Sequence, residues 1–226
     1  MKSLPIHECF YTWQGEGVHS GEAAFFIRTF GCPVKCPWCD SAGTWHPDYV
    51  PEKIDKYTPH ELAAMAREHP CEFVVITGGE PAIHELNALT TALKEMGLVA
   101  HLETSGGFEI KGEFSWVTVS PKWWKMPLKE NIEQADEIKI IVEDETTIDR
   151  WMEEIGDYIH DKPVWLNPEW SQRENPKVLK SISEKIKKSG NPFRAGYQLH
   201  KLYNVDLMDP KAKPPAPLGG KIENGF

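Results

Sequence analysis

Gly31-Cys32-Pro33-Val34-Lys35-Cys36-Pro37-Trp38-Cys39-Asp40 follows directly on the apolar run Ala23 to Phe30, and its C-x3-C-x2-C spacing decides how the rest of the chain is read. Three thiolates in one loop can share one iron-sulfur cluster. A [4Fe-4S] cluster takes four ligands, so a trio leaves one iron open to a small molecule. Structural zinc sites instead pair two short hooks across a longer stretch. No second hook exists here, because the other two cysteines, Cys9 and Cys71, are isolated. Cys71 stands just before a strand-like segment, so it enters the sheet at the end opposite the cysteine loop and is a poor fourth ligand.

Working outward, strand-like segments run from Ala23 to Phe30, Glu72 to Thr77, Val99 to Glu103, Trp116 to Val119, Glu137 to Val142, Val164 to Asn167 and Phe193 to Gln198. Helical patterns lie between most of them, over Pro59 to Glu68, Ile83 to Met96, Thr146 to Ile159 and Pro176 to Lys188. Thr58 is placed to cap the first, with proline at its opening position. Strands separated by helices imply parallel crossovers, and parallel strands bury both faces. The expected fold is α/β: an open, partial (βα)6-type barrel with a mostly parallel sheet. One domain spans residues 1–205, and a Pro/Gly/Lys-containing tail over residues 206–226 is expected to be a mobile extension.

At 226 residues the chain can bury one substantial core. Five cysteines, three of them in the loop, speak against a disulfide framework and for a reducing, cytoplasmic setting. No leader-like or membrane-spanning apolar run is present in the sequence. A formal charge of −9 argues against gripping a nucleic-acid backbone, which needs a basic footprint. A small-molecule partner fits better.

Ligands of parallel α/β sheets gather at the carboxyl ends of the strands. There this chain places the cysteines, then Thr77-Gly78-Gly79-Glu80-Pro81, Glu103-Thr104-Ser105-Gly106, Ser120-Pro121-Lys122 and Asn167-Pro168-Glu169, and near the last segment Gln198-Leu199-His200-Lys201. The paired glycines would let backbone approach a ligand closely. Glu103 and His200 are the catalytic candidates. Before the Ala23 to Phe30 segment, Thr12-Trp13-Gln14-Gly15-Glu16-Gly17 reads as a ligand-recognition loop: Gln14 can donate and accept along a heterocycle edge, and Glu16 can accept from a guanidine-like N–H pair. Alternation puts Arg28 on one face with Ala24, Phe26 and Phe30, turned either to the barrel interior or to its packed exterior. Its partner is either an anionic substrate or a structural carboxylate.

The cysteine trio, with Trp38 before the last cysteine, resembles the cluster motif of the radical S-adenosylmethionine (radical SAM) superfamily. With Gln14-Gly15-Glu16-Gly17, Phe26-Ile27-Arg28, Val74 to Pro81, Glu103 to Gly106, Val119 to Lys122 and Gln198-x-His200-Lys201, the chain resembles the 7-carboxy-7-deazaguanine synthase family from about Ile6 to Asn204. That resemblance implies a carbon-nitrogen lyase of queuosine and deazapurine biosynthesis acting on 6-carboxy-5,6,7,8-tetrahydropterin, with a [4Fe-4S] cluster, SAM and Mg2+. It implies that Cys32, Cys36 and Cys39 ligate the cluster, that Ser41 holds the magnesium, that Trp38, Cys39, Asp40, Gly79, Ser120, Pro121 and Lys122 meet SAM, and that Trp13, Gln14, Gly15, Arg28 and Thr77 meet the substrate, to which the reading of the recognition loop adds Glu16. A reduced cluster would cleave SAM to a 5'-deoxyadenosyl radical, and SAM would be regenerated after ring contraction. The resemblance also implies a homodimer and an electron donor such as flavodoxin or ferredoxin, with no nucleic acid and no membrane as partners. Ser41 stands where the family more often carries threonine, and Asn167-Pro168 where Gln-Pro is expected.

Two other classes compete. A glycyl-radical activating enzyme shares the cysteine spacing but acts on a protein and needs no pterin pocket built from Gln14, Glu16 and Arg28. A non-catalytic electron-transfer module would hold a cluster whose EPR signal ignores SAM.

Overall fold

The computed structural model describes residues 2–205; the tail expected over 206–226 lies outside them. A single nine-stranded sheet organises the described residues. Its strands are β1 (Leu4–Trp13), β2 (Ala23–Thr29), β3 (Asp55–Tyr57), β4 (Phe73–Gly78), β5 (Val99–Thr104), β6 (Trp116–Val119), β7 (Glu137–Val142), β8 (Val164–Pro168) and β9 (Phe193–Ala195). They lie side by side in the order β3-β1-β2-β4-β5-β6-β7-β8-β9. From β2 to β9 every pairing is parallel, whereas β1 runs antiparallel to both β2 and β3. The end strands β3 and β9 do not pair with each other, so the barrel is open and partial, as the alternation of strands and helices implies.

The helices are α1 (Pro59–Arg67), α2 (Asn87–Glu95), α3 (Lys129–Gln134), α4 (Thr147–Ile159), α5 (Pro176–Ser189) and α6 (Leu199–Leu202). α1 starts where expected: the Thr58 hydroxyl accepts from the Glu61 N–H, the Glu61 carboxylate accepts from the Thr58 N–H, and Pro59 follows the cap. α2 is shorter than the pattern from Ile83 suggests. A separate 3-10 turn over Pro81–Ile83 forms first, because the Glu80 carboxylate accepts from Ala82 N–H and caps that turn.

Three differences from the sequence reading matter for the site. The segment ending at Trp13 is a ten-residue strand, so Gln14 to Gly17 begin a β1–β2 hairpin loop rather than a leader to the first strand. The last segment stops pairing at Ala195, and Gln198 caps the short α6 instead of ending a strand. The polar six-residue α3 buries only Asn131 and Ile132, too little apolar material to show as a periodic pattern.

Alternation along each parallel strand sorts side chains between the two faces. Phe25, Ile27, Val74, Ile76, Leu102, Ile138, Ile140 and Leu166 face the helices and pack with Leu62, Leu89, Leu93, Trp151 and Ile155. Arg28, Thr77, Glu103, Lys139 and Ile141 take the other face and line the interior. The helix side therefore carries the stability, and the interior is free to be polar. Among the described residues no helix is long and apolar enough to cross a membrane.

Leu102 is fully buried on β5 at the centre of the helix-side core. Truncation to alanine, Leu102→Ala, is expected to cost about 3 kcal/mol of folding stability. Urea titration followed by circular dichroism should show a lower midpoint with an unchanged slope.

Candidate active site

A cavity of about 520 Å³ opens at the carboxyl ends of the strands, and its wall is where the motifs meet. Trp13, Gln14, Gly15, Glu16, Arg28, Thr77, Gly79, Glu103, Ser120, Lys122 and His200 line it together with Cys32, Cys36, Trp38, Cys39, Asp40 and Ser41. Of the residues expected at the site, Pro121 alone stands outside this wall; it is buried behind the rim, where it carries the chain from Ser120 to Lys122.

The cysteine loop is held by backbone packing. Gly31 leaves β2 at φ 104° and donates to the Thr44 carbonyl at 2.9 Å, while Gly79 N–H donates to Thr29 O at 3.1 Å and Glu80 N–H to Gly31 O at 2.9 Å. A Cβ on Gly79 would overlap the Gly31 carbonyl, and one on Gly78, itself at φ 133°, would overlap the Thr29 backbone. The paired glycines thus serve the close approach of two protein segments, a nearer cause than the approach to a ligand expected from sequence. Glu80 completes the clamp. Its buried carboxylate accepts from Ala82 N–H, Thr104 Oγ1, Ser105 N–H and Ser105 Oγ, which ties the turn after β4 to the end of β5.

Cys32, Cys36 and Cys39 are free thiols at one end of the cavity. Burial pushes the Cys36 thiol up to about 12 and Cys39 up to about 11, and raises Cys32 as well; Lys122 opposes the shift at Cys36. Ionising such thiols takes a strong cationic partner, and a metal centre is one. No group of three or more His, Cys, Asp or Glu side chains among the described residues converges to hold a single metal ion. Three thiols lining one pocket are the donor set that would hold a [4Fe-4S] cluster with one iron left open. Trp45 Nε1 donates to the Cys39 sulfur at 3.5 Å, the kind of contact that tunes a cluster ligand. Cys71 lies elsewhere, its thiol toward the Ala66 carbonyl in the helix-side core, and Cys9 packs against that same core.

A charge network lines the rest of the cavity and reaches the cysteine loop at Asp40 and Ser41. Arg28 Nε donates to Glu8 Oε1 at 2.6 Å across the β1–β2 pair, and its guanidinium also donates to Ser41 Oγ at 3.1 Å. Lys139 Nζ lies 2.7 Å from Glu16 Oε2 and 2.6 Å from Glu103 Oε2. Gln14 Nε2 donates to the other oxygen of Glu103, and Gln198 Nε2 to the other oxygen of Glu16, both at 2.9 Å. Lys201 Nζ sits 2.9 Å from Asp40 Oδ2. Burial opposes ionisation of Asp40 and Glu16, but the charges of Lys201 and Lys139 outweigh it and hold both carboxyls below the usual range. Burial likewise disfavours the Lys139 ammonium, and Glu103 with Glu16 reverses that and keeps it protonated. At the rim, Lys122 donates to the carbonyl and hydroxyl of Ser120, and Trp38 Nε1 donates to Glu143.

Several participants escaped the sequence reading. Lys139 left one signal, a lysine at an inward position of the apolar strand Glu-Ile-Lys-Ile-Ile-Val. Glu8 left none, because it acts through cross-strand register. His200 reaches the cavity from the first turn of α6, where its ring packs so closely on Gly15 that a side chain there would overlap it.

A cysteine trio at the carboxyl rim of an open parallel sheet, facing a polar interior, defines a radical SAM protein, and the model of the radical SAM superfamily matches residues 26–139. A Synechocystis 7-carboxy-7-deazaguanine synthase is 40% identical over 205 residues, covering 90% of this chain and 94% of the relative. The Escherichia coli K12 enzyme of that name is 36% identical over 224 residues, covering 89% and 98%. The crystal structure of QueE from Escherichia coli superposes with a TM-score of 0.74 at 32% identity, covering 88% of this chain and 95% of that one. This chain belongs to the 7-carboxy-7-deazaguanine synthase family.

Glu80 gives a direct test of the clamp. Glu80→Gln replaces an acceptor of four hydrogen bonds with a group that must point an N–H2 at one of its donors. The expected loss is about 2 kcal/mol, read by calorimetry as a Tm lower by about 4 to 8 °C.

Proposed function

We propose that this chain converts 6-carboxy-5,6,7,8-tetrahydropterin to 7-carboxy-7-deazaguanine with loss of ammonia. The observation that supports the reading is the meeting, in one cavity, of the cysteine loop with the cation Arg28 and the carboxylates Glu16 and Glu103; in this reading Arg28 receives an anion and the two carboxylates receive hydrogen-bond donors. A carboxylated pterin has both features: a carboxylate at one end and a guanidine-like ring edge at the other. Loss of ammonia balances substrate and product with no net oxidation, so a hydrogen atom taken at the start is returned at the end.

In this reading Cys32, Cys36 and Cys39 hold the [4Fe-4S] cluster, and Trp38, Asp40, Gly79, Ser120 and Lys122 form the side that receives SAM, with Pro121 placing Ser120 and Lys122. The bound cluster and SAM supply hydrogen-atom abstraction by one-electron chemistry. The protein's share is to orient and shelter. Arg28 exchanges part of its contact with Glu8 for the substrate carboxylate, a bidentate pairing suited to guanidinium. Gln14 and Glu16 read the ring edge, beside Trp13, Gly15 and Thr77. Glu103 and His200 flank the ring as the groups able to hold or move a proton while ammonia leaves.

Ser41 offers a hydroxyl oxygen for Mg2+, beside Asp40 at 3.3 Å. Such an ion keeps several waters and takes a substrate oxygen, so a single protein ligand is in keeping with its habits. Electrons come from a donor such as flavodoxin or ferredoxin, and the working form is a homodimer. Neither of the two relatives described above is a glycyl-radical activating enzyme.

Anaerobically reconstituted protein incubated with SAM, a reductant, Mg2+ and the carboxy-tetrahydropterin should yield the deazaguanine acid by mass spectrometry; cleavage of SAM without that product would sink the proposal. Two variants separate the tasks. Cys36→Ala should lose the cluster absorbance and all turnover. Arg28→Ala should keep the cluster and raise the pterin KM by roughly 10- to 100-fold, the loss of a charge-assisted contact.

A further inference from the structure

Lys139 is a buried charged group of the interior to which neither the motifs nor the proposed chemistry gives a task. It is the third residue of β7, 8% exposed, on the inner face between Glu137 and Ile141. β6 separates β7 from β5, so the side chain reaches across a strand to meet Glu103 and upward to meet Glu16 in the hairpin loop. The second oxygens of both carboxylates are taken by neutral amides, those of Gln14 and Gln198. A third amide, Asn167 Nδ2, lies 3.4 Å from the Glu16 oxygen that Lys139 holds.

We propose that Lys139 is a positioning residue for the substrate, holding Glu16 and Glu103 at a fixed spacing as a charged acceptor pair that selects a hydrogen-bond-donor edge and turns an anionic group away. The inference rests on the function proposed above and extends it to how the cavity orients its substrate. Two carboxylates that share a buried site do not both stay ionised without an opposite charge. With Lys139 between them, both do, and the trio carries one net negative charge. A carboxylate entering the cavity is repelled from this end and drawn to Arg28. A neutral residue at 139 leaves the pair to share a proton, and the protonated member then presents an O–H toward the substrate's own N–H groups.

The other charges near this trio have partners or stand apart. Glu137, below Lys139 on β7, accepts from Thr118, Trp165 and the Val18 N–H. His200 approaches Glu16 from α6, Lys122 faces Lys139 from the loop after β6, and Asp40, which accepts from Gln198, is held by Lys201.

The test compares wild type, Lys139→Met and Lys139→Arg as reconstituted enzymes, measuring pterin KM and kcat from about pH 6 to about pH 9. Iron content, SAM KM and pterin binding to cluster-free protein by equilibrium dialysis are measured alongside. Lys139→Met should raise pterin KM and weaken equilibrium binding at neutral pH by at least about tenfold, with iron content and SAM KM unchanged. It should also add an ionisation to kcat/KM, with KM recovering as pH rises and the pair loses its shared proton. Lys139→Arg should restore most of the binding without the added ionisation. If Lys139→Met does not fold, the double variant Lys139→Met/Glu103→Gln removes the like-charge pair; it should fold, and equilibrium dialysis over the same pH range should show weak pterin binding with no recovery as pH rises. An unimpaired Lys139→Met, an arginine variant as poor as methionine, or a double variant that binds as wild type overturns the inference alone. A wild-type protein that makes no deazaguanine acid overturns the reading beneath it as well.

Discussion

Charge placed inside a parallel sheet is tolerable only when each group finds a partner, and this constraint organises the interior. Removing one member of a buried pair costs several kcal/mol, because the other is left uncompensated. Here the pairs join distant parts of the chain: Glu8 with Arg28, Glu16 and Glu103 with Lys139, Asp40 with Lys201. The Glu8–Arg28 pair ties neighbouring strands, Lys139 ties β7 to β5 and to the hairpin loop, and Lys201 ties α6 to the cysteine loop. The electrostatics that would recognise a ligand are therefore the same electrostatics that hold the cavity in shape.

The division of labour between the two faces of the sheet makes this possible. The helix side is closed by Ile27, Val74, Leu102, Ile140 and Leu166, all fully buried, against the amphipathic helices. Stability gathered there allows the inner face to carry Arg28, Thr77, Glu103 and Lys139, which would be unwelcome in a core. Between the faces, Glu80 and the glycines before it lock the cysteine loop to β4 and β5 by main-chain contacts. A loop that presents three sulfurs and has no fourth to close it needs such outside support.

How much of this was legible in the sequence follows from how far apart the cooperating residues lie. The cysteines, Gly78-Gly79-Glu80, Glu103 and Ser120-Lys122 are contiguous motifs at strand ends, and parallel topology alone brings them to one rim. Cys71 could be set aside because it opens a strand and the loop cysteines follow one. The hairpin partner β1 was hidden: Pro5 and the irregular register between Ile6 and Glu8 break the alternation that reveals a strand. Arg28 was readable as sharing a face with Ala24, Phe26 and Phe30, but neither the inward direction of that face nor the carboxylate partner was, since Glu8 depends on that same register. Gln198, His200 and Lys201 were placed at the rim on a strand, whereas a short helix delivers them; with Phe193 the one bulky apolar residue of β9, edge pairing had little pattern to display.

That short helix also sets the order in which the site can come into being. Gln198 and Lys201 bridge the hairpin loop and the cysteine loop, and Leu199 N–H donates to the Gly15 carbonyl at 3.1 Å. Every strand of the sheet leaves the ribosome before α6 does. A nascent chain can thus build its scaffold, helices included, while the chamber above it stays unfinished. Among the described residues α6 adds the last side of the enclosure, so the hairpin and cysteine loops gain their bridge only after the scaffold that carries them has been made.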